Sequence, residues 1–198
     1  MEPDVILVRH GQTEWSALGK HTGITDVPLT ELGRRQGVAL ADMLAGMEFG
    51  AVLSSPRLRA LQTMEIAGFG HLGVIVDDLQ EWDYGAYEGR TTGEIRREVP
   101  DWSVWSHPII EGESVDEVGD RADRVIERAL SASGPVALFG HGHLLRILAA
   151  RWIGLPADHG RSLVLQTATV SLLGWEGESR VITRWNQECP LPSNDPLV

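Results

Sequence analysis

The chain has 198 residues, of which 42% are hydrophobic, and this is enough to bury the core of one ordinary domain. Its formal net charge of -11 opposes a general affinity for nucleic acid or anionic lipid, so an anion site needs a local concentration of positive charge. A single cysteine, Cys189, excludes a disulfide framework and a cysteine-rich metal site.

The sequence shows no targeting or membrane signal. The N-terminus carries Glu2 and Asp4 instead of basic residues, and no stretch reaches the roughly 18 apolar residues of a membrane span. We therefore expect a cytoplasmic protein that binds neither nucleic acid nor membrane. The composition predicts a single domain over residues 1–186 and a C-terminal tail over residues 187–198.

Short apolar segments typical of buried strands alternate with segments of helical periodicity. Strands are predicted at residues 5–8, 51–53, 74–76, 136–139 and 170–173. Between most of them lie predicted helices: from the N-cap Thr30 to Gly46, from Arg57 to Ala67, from the capping box at Ser114 to Gly134, and from Leu144 to Ile153. This alternation predicts an α/β fold around a largely parallel sheet.

The helix that follows Thr30 carries unusually small residues on its apolar face. Gly33 and Gly37 share that face with Leu40 and Leu44 at helical spacing. The small residues predict close packing of this helix on the sheet.

Three predicted strands end in cationic or imidazole side chains. Arg9 and His10 follow the first strand, Arg57 follows the second, and His141 and His143 follow the fourth. Ligands of open α/β sheets bind beyond the carboxyl ends of the strands, so these side chains are expected at one edge. Arginine offers bidentate donors to phosphate oxygens, and the pattern therefore predicts a phosphate-ester site.

The chain also offers a nucleophile and an acid for such a site. It contains no G-x-S-x-G elbow, no P-loop and no cysteine near the arginines, which leaves neutral imidazole as the nucleophile. His10 is the candidate, because Gly11 beside it allows close approach. Glu81, which lies among apolar and aromatic residues after the third strand, is the candidate acid.

Five motifs occur in a recognisable order: R-H-G at 9–11, S-S-P-R at 54–57, E-W-D-Y-G-x-Y-E-G at 81–89, G-E-S at 112–114 and G-H-G at 140–142. Together they resemble the histidine phosphatase superfamily, also called the phosphoglycerate mutase-like family. The resemblance extends from residue 5 to about residue 175. It implies a three-layer αβα fold with a mostly parallel central sheet.

The resemblance also implies roles for the site residues. His10 would become phosphorylated, while Arg9, Arg57 and His141 would bind the transferring phosphoryl group. Glu81 would protonate the leaving oxygen and later activate the water that attacks phosphohistidine. Such a mechanism requires no metal and no cofactor. Two arginines and a protonated His141 would offset the charge on the phosphoryl oxygens.

Further substrate contacts are expected from Ser16, Thr22, Gly23, Tyr84 and Gly142. Thr22 and Gly23 match a family loop that closes on phosphate through a hydroxyl and a backbone N–H, although turn formation alone would also explain them. The aromatic residues either roof the pocket or pack a small subdomain: Trp82, Tyr84, Tyr87, Trp102 and Trp105. His141 and His143 could hold zinc, but no third ligand accompanies them at metal spacing.

The branch of the family follows from two departures from the mutase pattern. Mutases carry an insertion after the glutamate block, whereas only 24 residues separate Gly89 from Ser114 here, and they usually carry asparagine at the position of Ser16. The blocks at 81–89 and 101–105 are similar to the group of mycobacterial acid phosphatases and sedoheptulose-bisphosphatase-like enzymes. The resemblance thus favours the phosphatase branch.

We therefore predict a metal-independent phosphomonoesterase that hydrolyses small phosphorylated metabolites, such as sugar phosphates, through phosphohistidine on His10. One alternative is a cofactor-dependent phosphoglycerate mutase. Another, from a different class, is an inactive module that binds a phosphorylated ligand. Relatives form dimers often enough that a homodimer is an open expectation.

Overall fold

A computed structural model describes residues 3–191 of the chain. In this part of the chain six strands form one sheet: β1 (Val5–Arg9), β2 (Ala51–Ser54), β3 (Gly73–Ile75), β4 (Val136–Gly140), β5 (Thr169–Glu176) and β6 (Ser179–Glu188). The same residues form six α-helices: α1 (Glu14–Ala17), α2 (Glu31–Leu44), α3 (Leu58–Ile66), α4 (Thr92–Arg96), α5 (Val115–Leu130) and α6 (Gly142–Trp152). None of the helices among the described residues has the length and apolar character needed to cross a membrane.

The sheet is mostly parallel, as predicted. Its strand order is β3-β2-β4-β1-β5-β6. The pairs β2/β3, β2/β4 and β1/β4 are parallel, whereas β5 runs antiparallel to β1 and to β6. The carboxyl ends of the first four strands therefore meet at one edge, which is where ligands bind in sheets of this kind.

Helices cover both faces of the sheet, which confirms the three-layer arrangement. Side chains of β1 alternate between two cores: Val5 and Leu7 pack with residues of α5 and α6, and Ile6 and Val8 pack with residues of α2 and α3. All four side chains are buried. Because successive residues of a strand point to opposite faces, an unbroken apolar run is what a strand buried on both sides requires.

The helix boundaries follow the predicted capping signals closely. The hydroxyl of Thr30 accepts the N–H of Gly33 at the start of α2, and Ser114 and Glu117 form a complete capping box on α5. The helix predicted from Leu144 begins two residues earlier, at Gly142. Its first turn therefore lies directly after β4, at the edge where the strand ends meet.

The glycines on the apolar face of α2 do not pack on the sheet, as the sequence predicts, but on other parts of the chain. A Cβ on Gly33 would lie 2.1 Å from the carbonyl oxygen of Gln12, and a Cβ on Gly37 would lie 2.9 Å from Cγ2 of Ile66. The two glycines thus fit against the loop after β1 and against α3, and not against the sheet. The loop that Gly33 supports follows directly after His10 and Gly11.

Gly33→Ala is expected to destabilise the protein by about 1–3 kcal/mol, because the added methyl overlaps backbone atoms that cannot move independently. Gly93→Ala is the matched control, since a Cβ there meets no atom closer than 4.0 Å. Urea denaturation of both variants measures the difference. Equal midpoints for the two variants would contradict the close packing of α2.

Strand β6 was not predicted. It forms a hairpin with β5 through a turn in which Gly177 has a φ of +61°, a backbone conformation that favours glycine. The predicted tail begins at Gln187, but β6 continues to Glu188. Residues 192–198 of that tail lie outside the described residues.

Candidate active site

The ends of β1 and β4 bring two histidines together. The backbone N–H of His10 donates to the carbonyl of Gly140 at 3.0 Å, and the ring centroids of His10 and His141 are 5.2 Å apart. A cavity of about 390 Å³ opens beside them, with Arg9, His10 and Glu81 in its lining. Gly142 and His143, directly after β4, also line this cavity, whereas the predicted Arg57 and His141 are not among the described residues of its lining.

His10 is held in the tautomer that a nucleophile needs. Its Nδ1 lies 2.7 Å from the carbonyl oxygen of Gly11, and because a carbonyl only accepts, Nδ1 carries the proton. Burial, together with the charges of Arg59 and Arg9, holds the pKa of His10 well below its usual range. The ring is therefore neutral at pH 7, and its lone pair lies on Nε2.

Arg9 brings positive charge to the cavity. One of its terminal nitrogens, Nη1, donates to the carbonyl of Leu165, which fixes the guanidinium. Its Nε is buried and has no hydrogen-bond partner among the described residues. Gly142 lets the guanidinium approach, because a Cβ at that position would lie 3.2 Å from Cζ of Arg9. The guanidinium therefore places a fixed positive charge in the cavity lining, which favours an anionic ligand.

The second arginine beside the histidines is Arg59, not Arg57 as predicted. Arg59 lies in the first turn of α3, is fully buried, and donates from Nε to Nδ1 of His141 at 3.1 Å. Its terminal nitrogens hold the loop after α1 by donating to three carbonyls, those of Thr22, Gly23 and Thr25. Among the charged neighbours that depress the pKa of His10, Arg59 has the largest effect.

Arg57 is turned to the outside because it is the N-cap of α3, where the chain is still extended. Its guanidinium donates to the carbonyl of Ile24 at 2.8 Å and to Oε1 of Gln80 at 2.7 Å. It stays near enough to contribute, as the last of several causes, to the lowered pKa of His141. Two residues further along, the helix turns Arg59 inward.

His141 is neutral in this structure, contrary to the predicted protonated ring. Its Nδ1 accepts from Arg59, so the ring proton lies on Nε2 and is donated to Oγ of Ser55 at 2.7 Å. Burial, with Arg59 next in importance, holds the pKa of His141 well below its usual range. The positive charge of the site therefore comes from arginine, and the one N–H of His141 is already donated to Ser55.

Glu81 is fixed at the N-terminus of α6 by backbone hydrogen bonds. Oε1 accepts from the N–H groups of Trp82 and Leu144 at 3.0 and 2.9 Å, and Oε2 accepts from the N–H of His143 at 3.0 Å. The carboxyl thus satisfies free donors of the helix end. Oε2 accepts one hydrogen bond and Oε1 accepts two, so Oε2 has the greater capacity for a further hydrogen bond.

An ion pair that sequence reasoning missed holds the segment that carries Glu81. Arg121 of α5 binds the carboxylate of Glu113 through Nε and Nη2, at 2.7 Å each. Its Nη1 donates to the carbonyls of Asp78 and Gln80, directly before Glu81. Glu113 belongs to the G-E-S motif, and this motif was the feature of the sequence that pointed to the ion pair. Arg121 is thus a positioning residue that fixes the backbone on which Glu81 stands.

Arg121→Met is expected to lower the free energy of unfolding by about 3–5 kcal/mol, because it leaves Glu113 without its largely buried partner. Arg124→Met is the control on the same helix. Arg124 forms an exposed pair with Asp78, whose loss is expected to cost less than about 1 kcal/mol. Urea denaturation measures the free energy of unfolding of both variants. Equal losses would show that the pair of Arg121 and Glu113 stabilises the protein no more than the exposed pair does.

Two of the predicted substrate-binding residues, Ser16 and Thr22, line the cavity. Their hydroxyls already have partners: Oγ of Ser16 bonds the backbone of Thr13 in the capping box of α1, and Oγ1 of Thr22 donates to the carbonyl of Lys20 at 3.1 Å. Each oxygen can still accept or exchange a hydrogen bond at the cavity wall. Their contact with substrate stays a prediction.

Gly23 does not fit the predicted role. Its N–H donates to Oε1 of Glu88 at 2.8 Å, and the same oxygen accepts from the N–H of Thr25 at 3.1 Å. Gly23 is also not among the described residues that line the cavity. The N–H that was expected to reach phosphate is thus occupied by a carboxylate.

Tyr84 and Gly142 both line the cavity, as predicted. The phenol oxygen of Tyr84 lies 2.6 Å from Nδ1 of His143, whose ring stands on the cavity wall. Burial raises the pKa of Tyr84 well above its usual range, so the phenol keeps its proton. The sequence predicts His143 at the ligand edge without a specific role, and its place in the first turn of α6 puts its ring on the cavity wall.

The aromatic segment both packs the core and shapes the cavity. Trp82, Tyr84, Tyr87 and Trp102 are buried, whereas Trp105 is partly buried and lines the cavity with Tyr84. The ring centroids of Trp105 and His143 are 5.1 Å apart. The two alternatives drawn from the sequence are therefore both realised, by different residues of one segment.

The pair His141 and His143 is not arranged as a metal site. His141 uses both ring nitrogens for Arg59 and Ser55, and His143 uses Nδ1 for Tyr84. Within residues 3–191, no group of three or more histidine, cysteine, aspartate or glutamate side chains is placed to hold a metal ion.

The family model of the histidine phosphatase superfamily, branch 1, matches residues 5–188. An acid phosphatase of Mycobacterium tuberculosis is 43% identical over 176 residues, which are 87% of this chain and 86% of that protein. A sedoheptulose 1,7-bisphosphatase of Saccharomyces cerevisiae is 36% identical over 188 residues, covering 78% of this chain and 69% of the yeast protein.

A solved structure from Mycobacterium tuberculosis matches with a TM-score of 0.89 and 38% sequence identity, and the match covers 96% of this chain and 100% of that one. The structural match and the sequence matches thus point to the same family as the motifs whose residues lie at the cavity. The resemblance drawn from the sequence is confirmed: the chain belongs to branch 1 of the histidine phosphatase superfamily.

Proposed function

We propose that the protein is a metal-independent phosphomonoesterase that hydrolyses small phosphorylated metabolites through a phosphohistidine intermediate on His10. The observation that carries the proposal is the fixed tautomer of His10. Its Nδ1–H is bound to the carbonyl of Gly11, and its Nε2, which has no partner among the described residues, belongs to a ring in the cavity lining. A neutral imidazole so oriented is an effective nucleophile at pH 7.

The first step forms the phosphoenzyme. Nε2 of His10 attacks phosphorus as the ester P–O bond breaks, and the leaving oxygen takes a proton from Oε2 of Glu81. Arg9 in the cavity lining and Arg59 beside His141 supply positive charge to the phosphoryl oxygens. These fixed positive charges favour the transition state, in which negative charge is spread over the phosphoryl oxygens.

The second step returns the enzyme to its starting state. The carboxylate of Glu81 takes a proton from water, and the hydroxide equivalent attacks phosphorus as the P–N bond breaks. Inorganic phosphate leaves, His10 recovers its Nε2 lone pair, and Glu81 is again protonated. The two steps add one water across one ester bond and need no metal or redox partner.

The cavity and the relatives support a small substrate. A volume of about 390 Å³ lies in the usual range for small-molecule sites. The curated relatives include proteins named acid phosphatase and sedoheptulose 1,7-bisphosphatase, and we extend phosphatase activity on sugar phosphates to this chain from those names.

One experiment tests both the proposed phosphatase activity and the mutase alternative. Wild-type protein is incubated with sugar phosphates, an aryl phosphate and 3-phosphoglycerate, with and without 2,3-bisphosphoglycerate, and released phosphate is measured. A parallel sample is quenched in base and probed for protein phosphate that acid removes. We expect phosphate release without the primer. Isomerisation of 3-phosphoglycerate that requires the primer would favour a mutase, and the absence of turnover and of phosphoprotein would favour an inactive binding module.

Glu81→Gln is expected to slow hydrolysis of alkyl phosphates by about 10²- to 10³-fold, because the amide cannot protonate the leaving oxygen. With an aryl phosphate, whose leaving group needs no acid, the first step should survive while water activation is lost. A burst of phenol and accumulation of phosphohistidine are the expected readouts. A Glu81→Gln variant that hydrolyses alkyl and aryl phosphates at wild-type rates would exclude Glu81 as the acid.

A further inference from the structure

The loop directly before β5, residues 164–168, holds the end of β1 at two points. The carbonyl of Leu165 accepts a hydrogen bond from Nη1 of Arg9. The backbone N–H of Ala168 is shared between the carbonyls of Arg9 and His10, at 3.1 and 3.0 Å. The first contact sets the guanidinium of Arg9, and the second sets the backbone from which the ring of His10 projects.

Ala168 makes its contact in a backbone conformation that is unfavourable for a residue with a Cβ. Its φ is +54°, in the left-handed region, and the residue is buried. Such conformations persist only where surrounding contacts impose them, and they cluster at functional sites. The 164–168 loop therefore requires other contacts that hold it in this form.

The loop lies at the surface, so burial of its own side chains does not hold it alone. Val164 and Gln166 are exposed, and residues 164–168 form neither helix nor strand. Two neighbouring side chains of β6 bind the loop from outside. Nε1 of Trp185 donates to the carbonyl of Val164. Oδ1 of Asn186 accepts the N–H of Gln166 at 2.7 Å.

Trp185 and Asn186 reach the same loop because β6 carries a β-bulge there. The two residues lie opposite the single residue Ser171 of β5. The N–H of Asn186 donates to Oγ of Ser171 at 2.9 Å, and Asn186 has a φ of +55°, which asparagine adopts more readily than most residues. In a regular strand neighbouring side chains point to opposite faces, whereas a bulge re-aims one of them.

We propose that the bulge of β6 is a positioning device for the phosphoryl site. Trp185 and Asn186 hold the 164–168 loop, and that loop fixes the end of β1. The role rests on the proposed function, because the end of β1 carries the nucleophile His10. Neither Trp185 nor Asn186 is among the described residues that line the cavity, so each acts through the loop. A shift of the reacting groups by about 1 Å can cost about 100-fold in rate.

Asn186→Gly and Asn186→Asp are a matched pair of variants that test this role. Glycine keeps the left-handed backbone but removes the acceptor for the N–H of Gln166, whereas aspartate keeps an acceptor oxygen. Asn186→Gly is expected to lower kcat for phosphate release from an aryl phosphate by about tenfold, and Asn186→Asp should recover most of that loss. Trp185→Phe, which keeps a ring but lacks the Nε1–H, should lower kcat as well.

Gln187→Ala is the control on the same strand. Gln187 is exposed, and its side chain forms no hydrogen bond with any other described residue. We expect this variant to keep the wild-type kcat. An equal loss of kcat in Gln187→Ala and in Asn186→Gly would show that any change in β6 has this effect, and it would overturn the role of the bulge.

Two further readouts distinguish positioning from a general loss of stability, which urea denaturation measures separately. Burial, and after it the charges of Arg59 and Arg9, depress the pKa of His10. A displaced Arg9 should therefore let that pKa, followed by NMR, rise in Asn186→Gly. The dissociation constant for inorganic phosphate should increase by about tenfold in the same variant, because the charge of Arg9 has moved.

A lower free energy of unfolding in Asn186→Gly, with wild-type kcat, phosphate affinity and pKa of His10, would leave the bulge a structural role only and overturn the proposal. If Asn186→Gly did not fold, Trp185→Phe would supply the same comparison. If the wild type released no phosphate from any ester, the proposed function would fail, whereas the phosphate affinity and the pKa of His10 would still decide whether the bulge positions the end of β1.

Discussion

His10→Asn is expected to reduce phosphate release from every substrate by about 10⁴-fold or more and to abolish the acid-labile protein phosphate. The asparagine amide can still donate to the carbonyl of Gly11, as Nδ1 of His10 does at 2.7 Å, so the loop keeps its anchor. What disappears is the Nε2 lone pair. Loss of activity with a preserved fold would therefore identify His10 as the nucleophile.

The control for this variant is His159→Asn. His159 is partly exposed, lies next to Asp158, and is not among the described residues that line the cavity. We expect it to keep wild-type turnover and wild-type phosphoprotein. If His10→Asn retained more than a few per cent of turnover, or still formed acid-labile phosphate, the nucleophile would have to be sought elsewhere.

The chemistry of the site could be predicted largely from strand ends. Apolar runs such as Val5 to Val8 identify strands buried on both faces, and polar residues directly after such strands must lie at the ligand edge. For that reason the sequence alone predicts that Arg9, His10 and His141 lie at one edge of the sheet. Local sequence was sufficient because each of these residues follows its strand without an intervening loop.

The choice between Arg57 and Arg59 could not be made in the same way. The two arginines are two residues apart, so their side chains point in different directions at the start of a helix. Which of them turns inward depends on whether the helix begins at Arg57 or at Leu58, and boundaries are uncertain by one or two residues from sequence. Pro56 marked the helix start without fixing its first residue.

Protonation states also depended on contacts between distant segments. The pKa of His141 is lowered first by burial and next by Arg59, 82 residues earlier in the chain, which donates to Nδ1. Strand β6 was missed for a related reason: its residues are exposed or half-buried, without a continuous apolar run. Its pairing with β5 follows from the turn at Gly177. Edge strands leave a weaker hydrophobic pattern than buried ones.

Exchanging the two arginines for glutamine should separate their roles. Arg59→Gln is expected to lower kcat/KM for phosphate release by about 10³- to 10⁵-fold, because a buried positive charge beside both histidines is lost. Arg57→Gln is expected to lose less than about tenfold, since its guanidinium binds Ile24 and Gln80 at the outside. Steady-state kinetics on one sugar phosphate measures both variants.

Because Arg59 also holds the loop after α1, a purely structural effect has to be separated from an electrostatic one. Arg59→Lys keeps the charge, loses most of the carbonyl contacts, and should recover about tenfold or more over Arg59→Gln. In Arg59→Gln the pKa of His10, followed by NMR, should rise toward its ordinary value, because the largest of the charge effects that depress it is gone. An unchanged pKa of His10 would assign Arg59 a structural role only. A larger loss of kcat/KM in Arg57→Gln than in Arg59→Gln would show that Arg57, and not Arg59, binds the phosphoryl group.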